Sequence, residues 1–213
     1  MLLGALGGAP EVLAGSPGAV VGDDATAAAA PAASGAAAQP PQALQAAQEL
    51  QQLMQLFHAR AHAEAHFQQS QYLAALTRPL QSTGTLAYRA PDHLEQDIVT
   101  PRHQRLVLDH GLLTMQLGRH RRSVPLADYP ALAPLLDSLR ALLAGDLSAL
   151  QQHFALQLAG PLSRWQLRLT PRPATLGSQL RAIRMRGAGA QILEVQLVQQ
   201  DGDHSVMHIE PTP

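Results

Sequence analysis

The sequence contains no cysteine, which excludes disulfides and thiolate metal sites and is compatible with either the periplasm or the cytosol. Lysine is missing too, so every long cationic side chain is an arginine, and the 15 basic residues are balanced by 16 acidic ones. The formal net charge of -1 lacks the basic excess that supplies most nucleic-acid affinity, so no nucleic-acid partner is expected. Aromatic residues amount to 3%, and leucine must therefore carry most of the packing. No apolar run reaches the roughly 18 residues that a helical membrane span requires. There is also no G-x-S-x-G, G-x-x-x-x-G-K, G-x-G-x-x-G or H-E-x-x-H, so catalysis has no visible anchor and no cofactor is called for.

What remains divides into a tail and one domain, as suits 213 residues. Residues 1–40 are mostly Ala, Gly and Pro, with only Glu11, Asp23 and Asp24 charged. That composition cannot bury enough to order itself, so a disordered tail or a processed leader is expected. Met1-Leu2-Leu3-Gly4-Ala5-Leu6 carries no basic residue ahead of its apolar run, which gives a secretory signal little support. An atypical start of an exported protein and a cytosolic chain with an alanine-rich tail both stay open.

Residues 41–213 read as the folded domain. From Pro41 to about Ala61, Leu50, Leu53, Met54 and Phe57 recur at helical spacing. Gly84 to Leu117 then combines strand alternation with turn chemistry. Leu86 and Tyr88 fall on one face and Thr85, Ala87 and Arg89 on the other. Leu94 to Val99, a third run over Leu106-Val107-Leu108 and a tight turn at Asp109-His110-Gly111 into Leu112 to Leu117 complete a meander. Gly118 to Arg122 is a basic hairpin or loop. A helix is expected over 131–143, with Leu132, Leu135, Leu136, Leu139, Leu142 and Leu143 in one stripe, Asp128 able to cap its start and Gly145 suited to its end. Asp146 can cap a short second helix. Phe154 to Leu158, Leu162 to Thr170, Gln179 to Arg186, Gln191 to Gln199 and Ser205 to Glu210 fit further strands.

Candidate chemistry is sparse. His58, His62 and His66 would share a face only if one helix ran through all three, and no carboxylate or cysteine completes a ligand set, so no metal is assigned. Asp92, Glu95 and Asp97 read as a solvated strand face rather than an acid and base pair. On spacing alone, the leucine stripes on strands and helix are ordinary core.

The ordered series adds something that no single motif does. Gly84-x-Leu86-x-Tyr88-Arg89-x-Pro91, Thr100-Pro101, Asp109-x-Gly111 and Leu112-Leu113-Thr114 resemble the early strands of the outer-membrane lipoprotein carrier (LolA) family. Phe67-Gln68-Gln69, Pro79-Leu80-x-Ser82-x-Gly84, Leu142-Leu143-x-Gly145-Asp146-Leu147, Trp165-x-Leu167-x-Leu169-x-Pro171 and Asp201-Gly202-Asp203 resemble its LolA-like branch, over roughly residues 45–210. The resemblance moves Phe67 to Leu76 from helix to first strand. It implies an α+β fold: a strongly curved antiparallel sheet, an incomplete β-barrel, covered by helices over a hydrophobic cavity.

Function follows from the same likeness. It implies a periplasmic, monomeric carrier of a lipid or acylated cargo, passing it from an inner-membrane exporter to an outer-membrane acceptor. Implied cargo-binding positions are Leu86, Tyr88, Leu106, Leu108, Leu113, Met115, Leu135, Leu136, Leu139, Leu142, Leu143, Trp165 and Leu167, with Arg89, Arg119, Arg121 and Arg122 as head-group contacts. One position departs from the family. Lipoprotein carriers have an arginine directly before the proline after the second strand, and here that position is Ala90, with Arg89 one place earlier. A one-residue shift sends the side chain to the opposite face, so a glycolipid or polyene ester is weighed beside lipoprotein. The alternative from another class is a non-catalytic interaction or structural module with a filled core.

Overall fold

The computed structural model describes residues 41–129, 133–172 and 180–212. The expected disorder of residues 1–40, the first residues of the helix expected over 131–143 and the strand start at Gln179 lie outside them. The chain opens with α1, Pro41–His58, which turns Leu50, Leu53, Met54 and Phe57 inward and leaves Gln51, Gln52 and Gln55 exposed.

Six strands follow: β1 His62–Tyr72, β2 Leu80–Arg89, β3 His93–Thr100, β4 Gln104–Asp109, β5 Leu112–Leu117 and β6 His120–Pro125. Two helices come next, α2 Ala133–Leu143 and α3 Leu147–His153. Five more strands end the domain: β7 Phe154–Ala159, β8 Trp165–Pro171, β9 Leu180–Ala188, β10 Gln191–Gln199 and β11 His204–Pro211. All pairings are antiparallel, in the order β6-β5-β4-β3-β2-β1-β11-β10-β9-β8-β7. The result is the expected α+β fold, a curved sheet that does not close into a barrel.

Two expectations need correcting. The first strand begins at His62 and ends at Tyr72, not at Phe67 and Leu76. Ala63, Ala65 and the glutamines favour helix in isolation, but β1 is central and pairs with β2 from His62↔Arg89 and with β11 from Ala65↔Pro211. Two ladders outweigh local propensity. The basic segment after Gly118 is indeed a hairpin, but its second arm is a strand, β6, paired with β5 from Leu117↔His120 to Leu112↔Pro125. Its His120, Arg121, Arg122 and Ser123 are exposed, so the run shows no alternation, and charge of this kind suits an edge strand.

The connectivity explains where the helices sit. The sheet has free edges at β6 and β7, and the chain leaves one edge to enter the other by way of α2 and α3. That crossing carries α2 over the concave face. Its C-terminal end is fixed: Asp146 N donates to Ala141 O at 2.8 Å and Gly145 N to Leu142 O at 3.1 Å, with Gly145 at φ 72°. This is a Schellman close, which needs a left-handed residue. A side chain at Gly145 would also collide with the Met54 carbonyl of α1. The His58 ring lies 3.0 Å from the Ala144 carbonyl, and Asp146 caps α3 by accepting from Ala149 N at 3.0 Å.

Candidate functional site

Among the described residues, the buried apolar side chains do not form one mass, as a domain of this size ordinarily would. One cluster joins α1, α2, α3 and β7–β9 around Phe57, Leu142 and Trp165. A second joins β4–β6 to α2 through Leu106, Leu108, Leu113, Val124, Leu126 and Leu136. A third, Phe67, Ile98 and Met207, sits on the central strands. Between them lies a cavity of 210 Å³ bordered by members of all three, among them Phe57, Leu169, Ile183, Met185, Leu106, Leu136 and Met207. Strands from both halves of the sheet border the same space, which is the direct sign that the sheet curls.

α2 forms the roof. Its closest backbone neighbours are α3 and α1. Leu142, Leu135 and Ala141 anchor it to the first cluster and Leu136 to the second. Leu139 and Leu143 are only half-buried and border the cavity between those anchors. The helix is thus held along two lines with a gap beneath.

Of the residues named from the sequence, Leu86, Tyr88, Leu106, Leu108, Leu113, Leu135, Leu136, Leu139 and Leu143 border the cavity. Four do not. Leu142, Trp165 and Leu167 are 0%, 0% and 1% exposed in the first cluster, and Met115 packs at the edge of the second. The Trp165 indole donates to the Gly189 carbonyl at 2.9 Å and meets Phe57 edge-on at 5.9 Å, which makes it a cornerstone of the core. Residues not named beforehand include Leu94, Gln96, Ile183, Met185, Ile192, Val195, Leu197, Met207 and Ile209.

The arginines lie elsewhere. Arg89 pairs in register with His93 and takes the face opposite Leu86 and Tyr88, its guanidinium 2.9 Å from the His93 ring. Arg119 is in the β5–β6 turn; Arg122 is opposite Met115 and Arg121 opposite Gln116, so the last two point to different faces. All three are exposed and none borders the cavity.

On the outer face, Glu95 pairs with Arg105 at 2.7 Å and Asp97 with His103 at 2.8 Å. This is the solvated, charge-paired strand face expected for Glu95 and Asp97. The His93 hydrogen bond, with His110 nearby, holds the Asp109 carboxyl below its usual range. Asp92, Asp109 and His110 place ligand atoms within 4.8 Å of one another, a grouping that sequence spacing did not suggest. The histidines considered together are split between α1, which ends at His58, and β1, which holds His62 and His66.

An open antiparallel half-barrel bridged by a helix over an apolar cavity defines the class of protein. The profile of the family described as outer membrane lipoprotein carrier protein LolA-like matches residues 37–208, and the chain belongs to that family. No curated protein matches the sequence significantly. Among solved structures, the chain is similar to a LolA superfamily protein of Nitrosomonas europaea, at 8% identity over 78% of this chain and 91% of that one, TM-score 0.45. It is similar to a chain of the Pseudomonas aeruginosa MucA/MucB complex, at 17% identity and TM-score 0.44, covering 79% of this chain and 56% of that one. LprF of Mycobacterium bovis is 12% identical over 78% of this chain and 92% of its own, TM-score 0.34. No helix among the described residues is long and apolar enough to cross a membrane.

Proposed function

We propose that this protein is a periplasmic carrier that holds the acyl chain of a lipid or acylated cargo in the half-barrel cavity and passes it toward the outer membrane. The supporting observation is the division of the core into three clusters around an apolar cavity, with α2 suspended above it. A cavity of 210 Å³ exceeds the roughly 150 Å³ apolar cavity that suffices for benzene. An acyl chain gains about 0.8 kcal/mol per CH₂ withdrawn from water. Ten such groups give a gross gain of about 8 kcal/mol, enough to hold a lipid after association costs only if the chain is largely enclosed.

The work is transfer, without covalent chemistry. α2 swings about its fixed end at Gly145, drawing Leu136 off Leu106 and Leu108 and opening the wall to cargo; Leu139 and Leu143 then close on the chain. Cargo shifts the balance toward the open form because that form offers it more apolar contact than the 210 Å³ space present with α2 seated. The domain from residue 41 onward acts as the carrier unit, monomeric, with an exporter in the inner membrane as donor and an outer-membrane acceptor. Native mass spectrometry of freshly purified protein tests the reading. Co-purifying lipid is expected, and a protein that stays lipid-free after gentle purification and fails to take up added lipid contradicts it.

A further inference from the structure

The cavity wall contains two polar groups that a purely apolar ligand does not explain. Tyr88 and Gln96 both border the cavity and are 5% and 8% exposed. Among the described residues, neither the Tyr88 hydroxyl nor the Gln96 amide nitrogen has a hydrogen-bond partner, and both atoms are sealed from solvent. Unpaired buried donors disfavour the fold that holds them, and phenylalanine and leucine would fill the same volumes without that cost.

The sheet register brings the two together. Tyr88 pairs with Leu94 and Gln96 with Leu86, so the two side chains are diagonal neighbours on the concave face, about 7–8 Å apart at their backbones and within joint reach of one group. Burial raises the Tyr88 pKa, and the nearby Asp92 charge raises it further, so the hydroxyl stays protonated and can donate. An amide nitrogen only donates. Two donors in one wall call for an oxygen acceptor.

The strand residues beside them pack against the roof. Leu94, across from Tyr88, and Leu106, across from Gln96, both belong to the cluster that Leu136 of α2 completes. Withdrawal of α2 therefore loosens the packing beside the donors at the moment the cavity opens.

We propose that Tyr88 and Gln96 are specificity-determining residues that donate hydrogen bonds to the carbonyl oxygen of an acyl ester or amide, so that the cavity selects acylated compounds over ether-linked or plain alkyl chains. This rests on the carrier reading and narrows its ligand class. Donors left unpaired by a ligand without the oxygen make the discrimination large.

The test compares two lipids of equal chain length, monopalmitoylglycerol and its hexadecyl ether counterpart, by displacement of a fluorescent fatty-acid analogue from the full-length, delipidated protein. The wild type is expected to bind the ester about tenfold more tightly. Tyr88→Phe and Gln96→Leu are each expected to reduce the preference and together to abolish it. Thermal melts should show both variants at least as stable as the wild type, since each loses an unpaired donor. Should one variant fail to fold, the other carries the comparison, since each alone is expected to reduce the preference. Equal affinity of the wild type for ester and ether, or a preference that survives the double substitution, overturns this inference and leaves the carrier reading intact. Binding of neither lipid overturns both.

Discussion

Leu139 and Leu142 lie one turn apart on α2 and have opposite roles. Leu142 is 0% exposed in the cluster with Phe57, Leu150 and Trp165. Replacing it with alanine leaves a hole in close-packed surroundings, which costs about 3 kcal/mol and lowers the melting temperature by about 6–12 °C. Leu139 is half-buried and already faces the cavity. Leu139→Ala enlarges existing space rather than creating new space, so its cost is the lost transfer energy of partly buried methyl groups, about 1 kcal/mol or less. Urea denaturation followed by circular dichroism measures both. The same preparations, titrated with a fluorescent fatty-acid analogue, should show the reverse order: Leu139→Arg removes binding while the sheet stays folded, because a guanidinium then occupies the apolar space. If Leu139→Ala destabilises as much as Leu142→Ala, or if Leu139→Arg unfolds the protein, the space beneath α2 is filled core and the reasoning fails.

Other consequences are sharper in stability than in binding. Asp146→Ala removes the cap of α3 and should cost about 1 kcal/mol at neutral pH by denaturant titration. The Ala149 and Ser148 hydrogen bonds hold the Asp146 carboxyl below its usual range, so its contribution is full above the unfolded carboxylate value near 4. It is lost as pH falls through the lower folded value, and the gap between variant and wild type should shrink there; a gap that persists below that point counts against the assignment. Gly187 lies opposite Trp165, and a Cβ there would run into the indole ring and the Gln191 carbonyl. Gly187→Val should therefore be among the most destabilising strand substitutions, visible as a fall in melting temperature and a changed tryptophan emission; an unchanged spectrum would show that the ring is not pinned.

The sequence revealed elements better than it revealed the site. α1, the α2 stripe and β8 were legible because their apolar residues keep a clean period: Trp165, Leu167 and Leu169 are buried while Gln166 and Arg168 are exposed. β1 was misplaced at its start because alanine, histidine and glutamine mark no period, and its strand identity comes from pairing on both sides. The wall contributed by β10 was hidden by a bulge. The register slips between Ile192 and Glu194, so Ile192, Val195 and Leu197 share the concave face although their spacing is not that of a regular strand. Core and cavity wall also look alike in one dimension. Leu169 borders the cavity while Leu167, on the same stripe, is sealed within the first cluster. Only the way three clusters fail to meet distinguishes them, and that depends on the curl of the whole sheet. The unpaired donors of Tyr88 and Gln96 had no sequence signal beyond a glutamine where the strand's inner face calls for an apolar residue.

The most direct measurement is titration of the intact protein with a fluorescent fatty-acid analogue, followed by competition with lipids extracted from a bacterial envelope. Saturable binding of about one analogue per chain, displaced by the extract, is expected. Folded protein that shows no saturable binding would mean that the three clusters close up in solution, and the carrier function would be contradicted.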